Sequence, residues 1–200
     1  RDTDRSRGLG DVYKRQFQRG CRLCIQAESG SGKSSLLSFI FGTRQDYKGQ
    51  ILFNGQDTRA LSVEQWCEIR TKNISLLPQD MALFPELTVG QNIDLKNNRT
   101  HHKTRQEIMD CLERVGIAEK YDVLACQLSI GQMQRVALVR ALCQPFDFIF
   151  LDEPISHLDA RNNQIVAQMV SEEAQRQGAG IIATSVGNHL LLSNAEFVAL

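Results

Sequence analysis

Eight consecutive residues carry the plainest chemistry in the chain: Glu28-Ser29-Gly30-Ser31-Gly32-Lys33-Ser34-Ser35. Glycines let successive backbone N–H groups wrap phosphate oxygens, and the Lys-Ser pair adds a cation and a hydroxyl ligand for a divalent metal. Residues 21–27 before the loop read as a strand. After it, Leu36, Leu37, Phe39, Ile40 and Phe41 read as a helix closed by Gly42. Strand, glycine loop, Lys-Ser and helix form a phosphate-binding loop at a helix N-terminus, where the dipole favours an anion. In that arrangement Lys33 reaches the β- and γ-phosphates of a nucleotide and Ser34 ligates Mg2+. Ala27 stands where the GxxxxGK[ST] pattern has its first glycine.

A second group of candidates lies far along the chain. Phe148-Ile149-Phe150-Leu151 is a continuous apolar run, as a buried parallel strand requires, and it ends in Asp152-Glu153-Pro154. A carboxylate at the C-terminal edge of such a strand can hold a Mg2+ shell, and a second beside it can polarise an attacking water. Upstream, residues 128–135 (Leu-Ser-Ile-Gly-Gln-Met-Gln-Arg) read as a polar loop feeding a helix over 136–142, with another anion-ready N-terminus. Ser156-His157-Leu158-Asp159 follows the carboxylates. His157 has no ligand-spaced His or Cys near it and is not read as a metal ligand.

These groups need a scaffold, and the intervening sequence supplies one. Residues 48–55 read as a short strand ending in an Asn-Gly turn, and 63–70 as a short helix. Ile74–Leu77 reads as a strand stopped by Pro78, with Gln79 directly after. Thr104 to Glu107 makes a capping box, opening a helix with Ile108, Leu112 and Val115 on one face and Gly116 at its end. Residues 162–176 are amphipathic, with Ile165, Val166, Met169 and Val170 on the core stripe, and 181–184 read as another buried strand. Cys21 and Cys24 form a lone CxxC, but residues three apart on a strand face opposite sides. The reading is buried thiols in a reduced setting rather than a chelate.

At 200 residues the chain is long enough for one domain with an inserted subdomain. Its 23 Lys and Arg balance 23 Asp and Glu, which argues against a protein that works by gripping nucleic acid, so no nucleic-acid partner is expected. No apolar run approaches the roughly 18 residues that span a bilayer. Residues 1–16 are polar and Arg-rich without helical or strand period, and resemble a translated adapter-type leader rather than native chain. On that reading the native chain begins upstream.

With these residues in place, the chain from about 17 to 200 resembles the ABC-type ATPases, the nucleotide-binding subunits of ABC transporters. Residues 27–35 are similar to the Walker A loop and Leu77-Pro78-Gln79-Asp80 to the Q-loop. Residues 128–132 resemble the LSGGQ signature, residues 148–153 Walker B with its catalytic glutamate, and residues 156–159 the D-loop. The signature is the most specific, since other P-loop classes lack it. The resemblance implies an α/β fold: a RecA-like P-loop core with an inserted helical subdomain and an incomplete N-terminal β-subdomain. It divides the chain into a leader at 1–16, core at 17–79, helical subdomain at 80–143, and core again at 144–200.

It further implies an ATP-binding and hydrolysing subunit that dimerises head to tail with an identical or different second ATPase subunit. The pair powers transport through a separate transmembrane permease subunit, at the cytoplasmic face of the membrane. ATP and Mg2+ are the implied ligands. Glu28, Ser29, Gly30, Ser31, Gly32, Lys33, Ser34 and Ser35 would hold the nucleotide in one cassette, and Ser129, Gly131 and Gln132 would contact the ATP held by its partner. Asp159 would touch the partner's Walker A region. Ser34, Gln79 and Asp152 would serve the metal, Glu153 the water, and Gln79 would also signal to the permease.

Three departures accompany Ala27. Ile130 stands at the third position of LSGGQ. The adenine-stacking aromatic of the upstream strand has no counterpart beyond Tyr13 in the leader. Ser185 follows Thr184 where the family has a histidine, while His189 lies four residues later and reads as a surface residue on a helical turn. A serine donates one hydrogen bond but lacks the charge and span of imidazole, so slow hydrolysis with retained binding is expected. A soluble ABC-type ATPase outside transport, and a degenerate cassette that binds nucleotide to regulate a partner, are the alternatives.

Overall fold

The computed structural model describes residues 16–199 except 27, 29 and 31. The expectations for the leader through Arg15 with its Tyr13, for Ala27, Ser29 and Ser31, and for Leu200 therefore lie outside the described residues.

Five strands form one parallel sheet: β1 (Arg22–Gln26), β4 (Ile74–Leu77), β5 (Phe148–Asp152), β6 (Gly180–Ser185) and β7 (Glu196–Ala199). Their order is β4-β5-β6-β1-β7, and every neighbouring pair runs parallel. Parallel neighbours require crossovers, and the crossovers put helices on both faces. Side-chain alternation sorts the layers. Leu23, Ile25, Phe150 and Ile182 point to one face with Leu37 of α1 (Lys33–Ile40) and Trp66 and Ile69 of α2 (Val63–Lys72). Cys24, Ile149, Leu151, Ile181 and Ala183 point to the other, against α5 (Ile130–Leu142) and α6 (Ala160–Gln177). Cys24 and Cys21 lie on opposite faces as their spacing predicts, and all six cysteines are free.

Between β4 and β5 the chain forms α3 (Val89–Asn97), α4 (Arg105–Arg114) and α5. Val89, Ile93, Ile108 and Leu112 join Ile149, Leu151 and Val170 in one continuous apolar core. The Thr104–Glu107 capping box forms, and Ile108, Leu112 and Val115 are buried together. Across the molecule, Glu173 of α6 accepts hydrogen bonds from Lys103 Nζ at 2.7 Å, Arg176 Nη2 at 2.7 Å and His102 Nε2 at 3.0 Å, tying α6 to the entry of α4.

Three elements differ from expectation. Only Leu52–Phe53 (β2) of residues 48–55 is strand, paired with β3 (Gln56–Asp57) around Asn54 and Gly55. Those turn residues take φ of 50° and 84°, as a two-residue hairpin requires, while Gly49 at φ 94° breaks the extended run before it. The polar loop expected at 128–135 is helix from Ile130 onward, because Ser129 and Gln132 form a capping box. His189 lies on no helical turn. Leu190 and Leu192 are buried while Leu191 is exposed, an extended alternation, and the His189 ring sits edge-on to Phe197 at 4.9 Å. No described helix is long and apolar enough to cross a membrane.

Candidate functional site

The parallel sheet brings the C-terminal ends of β1, β4, β5 and β6 to one edge, and the candidate residues gather there. At the end of β1, Gly30 and Gly32 take φ of 80° and 97°. A Cβ at either position would meet nothing within 4 Å, so the backbone angle rather than space calls for glycine. Lys33 opens α1 and is only 4% exposed, with Nζ donating to the Glu28 carbonyl at 2.8 Å. The first turn of α1 carries no acid and its N-cap has no side-chain hydrogen bond, which leaves its amides open toward an anion. Ser34 is exposed, and Ser35 Oγ accepts from Arg44 Nη1 at 3.0 Å.

Asp152 ends β5 on the same face as Phe150, the face of α1, and is 5% exposed. Its Oδ1 accepts from Thr184 Oγ1 at 2.6 Å, and that hydroxyl oxygen in turn accepts from the Glu153 amide at 3.2 Å. Thr184 thereby fixes both the carboxylate and the next residue's backbone. Glu153 has a φ of 50°, left-handed for a residue with a Cβ. Such a conformation costs about 1–2 kcal/mol and persists only where neighbours over-determine it. They do so here, because the Glu153 carbonyl also accepts from Gln134 Nε2 at 3.0 Å. Gln79, just past β4, donates from Nε2 to Glu153 Oε2 at 3.4 Å. Residues 74 apart in sequence thus meet at one sheet edge. The Asp152 carboxylate, Ser34 hydroxyl and Gln79 amide offer oxygen donors of the kind a hard divalent cation takes.

The start of α5 is a second donor-rich end. Ser129 Oγ accepts from the Gln132 amide at 3.3 Å, and Gln132 Oε1 accepts from the Ser129 amide at 2.9 Å. The cap uses acceptor oxygens, leaving the Ser129 hydroxyl proton and the Gln132 NH2 as outward donors. A Cβ on Gly131 would come within 3.1 Å of the His157 carbonyl, so α5 packs close to the loop after β5. Gln134 straps that contact: Nε2 reaches Ser156 Oγ at 3.2 Å, and Oε1 accepts from the His157 amide at 3.2 Å. Asp159 caps α6, accepting from the Asn162 amide at 2.8 Å.

Ser185 is not brought to this cluster. It shares its strand face with Ile181 and Ala183, across the sheet from Asp152, and its buried Oγ has no hydrogen-bond partner among the described residues. Thr184 and Gln134 are the contributors that motif reading passes over. A hydroxyl residue at the end of a strand beside the carboxylate strand signals the first. A long amide two positions beyond Gln132 signals the second.

The ABC transporter family model matches residues 12–156. The ABC transporter ATP-binding protein YtrE of Bacillus subtilis (strain 168) is 33% identical over 159 residues, 78% of this chain and 68% of that protein. The lipoprotein-releasing system ATP-binding protein LolD of Shewanella frigidimarina (strain NCIMB 400) is 33% identical over 177 residues, 87% of this chain and 72% of that protein. Among solved structures, a dimeric ATP-binding cassette in a post-hydrolysis state, bound to ADP and Pi, superposes with a TM-score of 0.81. It is 24% identical, covering 92% of this chain and 83% of the other. A bacterial Atm1-family ABC exporter with ATP bound gives a TM-score of 0.73 at 25% identity, over 91% of this chain and 32% of that one.

Proposed function

The chain belongs to the ABC transporter family, and from that membership we propose that it binds and hydrolyses ATP to drive transport through a separate membrane subunit. It acts as one cassette of a pair, held at the cytoplasmic face of the membrane by the permease. Residues 17–79 and 144–200 form the nucleotide core and 80–143 the helical insert. The observation that carries the reading is the convergence of Gln79, Asp152 and Glu153 at the sheet edge that also bears the Lys33 loop.

The loop from Glu28 to Ser35 binds the triphosphate. Lys33, released from the Glu28 carbonyl, places its charge on the β- and γ-phosphates. Ser34, Asp152 and Gln79 hold Mg2+, which when bound neutralises charge on the phosphate oxygens. Glu153 accepts a proton from water as the water oxygen bonds to the γ-phosphorus. The bond from that phosphorus to the β–γ bridging oxygen breaks, giving ADP and phosphate. Gln79 aligns the Glu153 carboxylate and the water. Ser129, Gly131 and Gln132 present donors to the ATP on the partner cassette, and Asp159 approaches its phosphate loop. The chain carries both halves of a composite site, so two copies can close two sites.

Turnover is slow in this reading. The family's histidine position holds Ser185, whose hydroxyl lies across the sheet, and His189 is occupied against Phe197. Loss of one such donor costs on the order of a hundredfold in rate. That feature also favours a second reading, a cassette that binds nucleotide and regulates a partner without useful turnover. Steady-state Mg-ATP hydrolysis decides. Parent turnover abolished by both Glu153→Gln and Lys33→Ala is the expected result. Turnover that survives Glu153→Gln overturns the assignment. ATP binding that needs Lys33 without any hydrolysis establishes the regulatory reading.

A further inference from the structure

Just beyond Gln79 the chain does something costly. Met81 and Ala82 are consecutive non-glycine residues with left-handed φ, 61° and 45°. Neither side chain can hydrogen-bond its own backbone, which is how asparagine and aspartate tolerate this region. The bend is held from elsewhere. Arg140, in the last turn of α5 and 8% exposed, donates from Nη1 to the Ala82 carbonyl at 2.7 Å and from Nη2 to the Met81 carbonyl at 2.5 Å. A planar guanidinium fork presents its N–H donors in fixed geometry, which suits it to two successive carbonyls. Burial opposes the Arg140 charge and lowers its pKa, while nearby Asp80 partly offsets this. The Met81 amide bonds back to the Pro78 carbonyl at 3.0 Å, closing the turn on which Gln79 sits.

We propose that Arg140 is a positioning residue for hydrolysis: its fork holds the Met81–Ala82 bend that sets Gln79 beside Glu153. It touches neither nucleotide nor water, and it acts through the backbone of the Gln79 loop. The inference rests on the ATPase reading. Its own content is that the bend relaxes without the fork, and that Gln79 then leaves the 3.4 Å contact with Glu153.

The test uses Mg-ATP kinetics and hydrogen exchange on the whole chain. Arg140→Ala is expected to lower kcat about tenfold or more, as a displaced aligning group does, with the KM for ATP within about twofold. Exchange at the Met81 amide rises. Arg140→Lys, a single point donor, falls between parent and Arg140→Ala. The decisive variant adds Met81→Gly and Ala82→Gly to Arg140→Ala. Glycine adopts the bend without a clamp, so kcat recovers to within about threefold of the parent. Arg140→Ala with unchanged kcat overturns the proposal. So does a fall in kcat and ATP affinity together that glycine does not rescue, since that pattern is loss of packing. A parent chain without turnover overturns the ATPase reading and this one with it, whereas a working parent isolates the fork.

Discussion

Thr184→Val removes one oxygen from the middle of the site while keeping a β-branched side chain on a central strand. Thr184 Oγ1 is fully buried, donating to Asp152 Oδ1 at 2.6 Å and accepting from the Glu153 amide at 3.2 Å. The substitution leaves a buried carboxylate oxygen and a backbone N–H without those partners. A hydrogen bond to a charged group contributes about 1.5–3 kcal/mol, and a neutral one about 1 kcal/mol. The expected loss is therefore about 2–4 kcal/mol. For a domain of this length each kcal/mol lowers Tm by about 2–4 °C, so the midpoint should fall by roughly 5–15 °C. Differential scanning calorimetry reads the first effect and ATP turnover the second. Glu153 loses one of the three backbone hydrogen bonds that sustain its φ of 50°, and kcat should drop further than ATP affinity. Thr184→Ser keeps the hydroxyl and should restore most of both. A Thr184→Val protein that melts with the parent and turns over normally would refute the bridge as the organiser of the Asp152 carboxylate and the Glu153 backbone.

Two pH dependences follow from buried charges away from the site. Burial alone would raise the Glu173 carboxyl, but hydrogen bonds from His102, Arg176 and Lys103 outweigh it and hold the group far below the usual carboxylate range. A depressed carboxylate contributes stability that is present above its unfolded value, near 4.5, and is lost as pH falls below it. Thermal midpoints should decline below pH 4.5 in the parent, and decline less steeply in Glu173→Gln. Lys96 behaves oppositely: burial first, and then the Arg140 charge, push it down to about 7 from 10.5. Between those values the unfolded chain binds the extra proton, so stability should rise with pH from 7 toward 10.5. Lys96→Met should flatten that rise in melts across the same range.

The sequence discloses this molecule unevenly. β5 is legible because a strand buried on both faces must be apolar throughout, and the turn into α1 is legible because Gly30 and Gly32 supply the positive φ it requires ahead of Lys33. Asp152 and Glu153 follow from their place at the strand end. What escapes is chiefly contact between distant segments. Nothing local to Thr184 says that it will face Asp152 rather than Ser185 doing so, because the register of β5 against β6 decides which hydroxyl points to α1. The start of α5 is locally legible in Ser129-x-x-Gln132, yet the run of polar residues around Gly131 masks the capping box as a loop. The path at 186–192 escapes for the opposite reason. Leu190, Leu191 and Leu192 form a dense apolar run, and only the docked structure shows two of them inward and one outward.

The backbone strain of the site has a common support. Among the described residues six non-glycines have positive φ, and Asn54, His101 and Asn194 are of the types most often found there. Met81, Ala82 and Glu153 are not, and these three sit in the loops that carry Gln79 and Glu153, the proposed aligning amide and water-activating carboxylate. All three are held by side chains of α5: Met81 and Ala82 by Arg140 in its last turn, and Glu153 by Gln134 in its second. The same helix begins at the Ser129–Gln132 cap that faces the partner's nucleotide in the proposed dimer. The helix runs 13 residues from that cap to the turn that carries Arg140. Gln134 and Arg140 thus connect the helix that carries the cap to the two strained loops of this chain's own site.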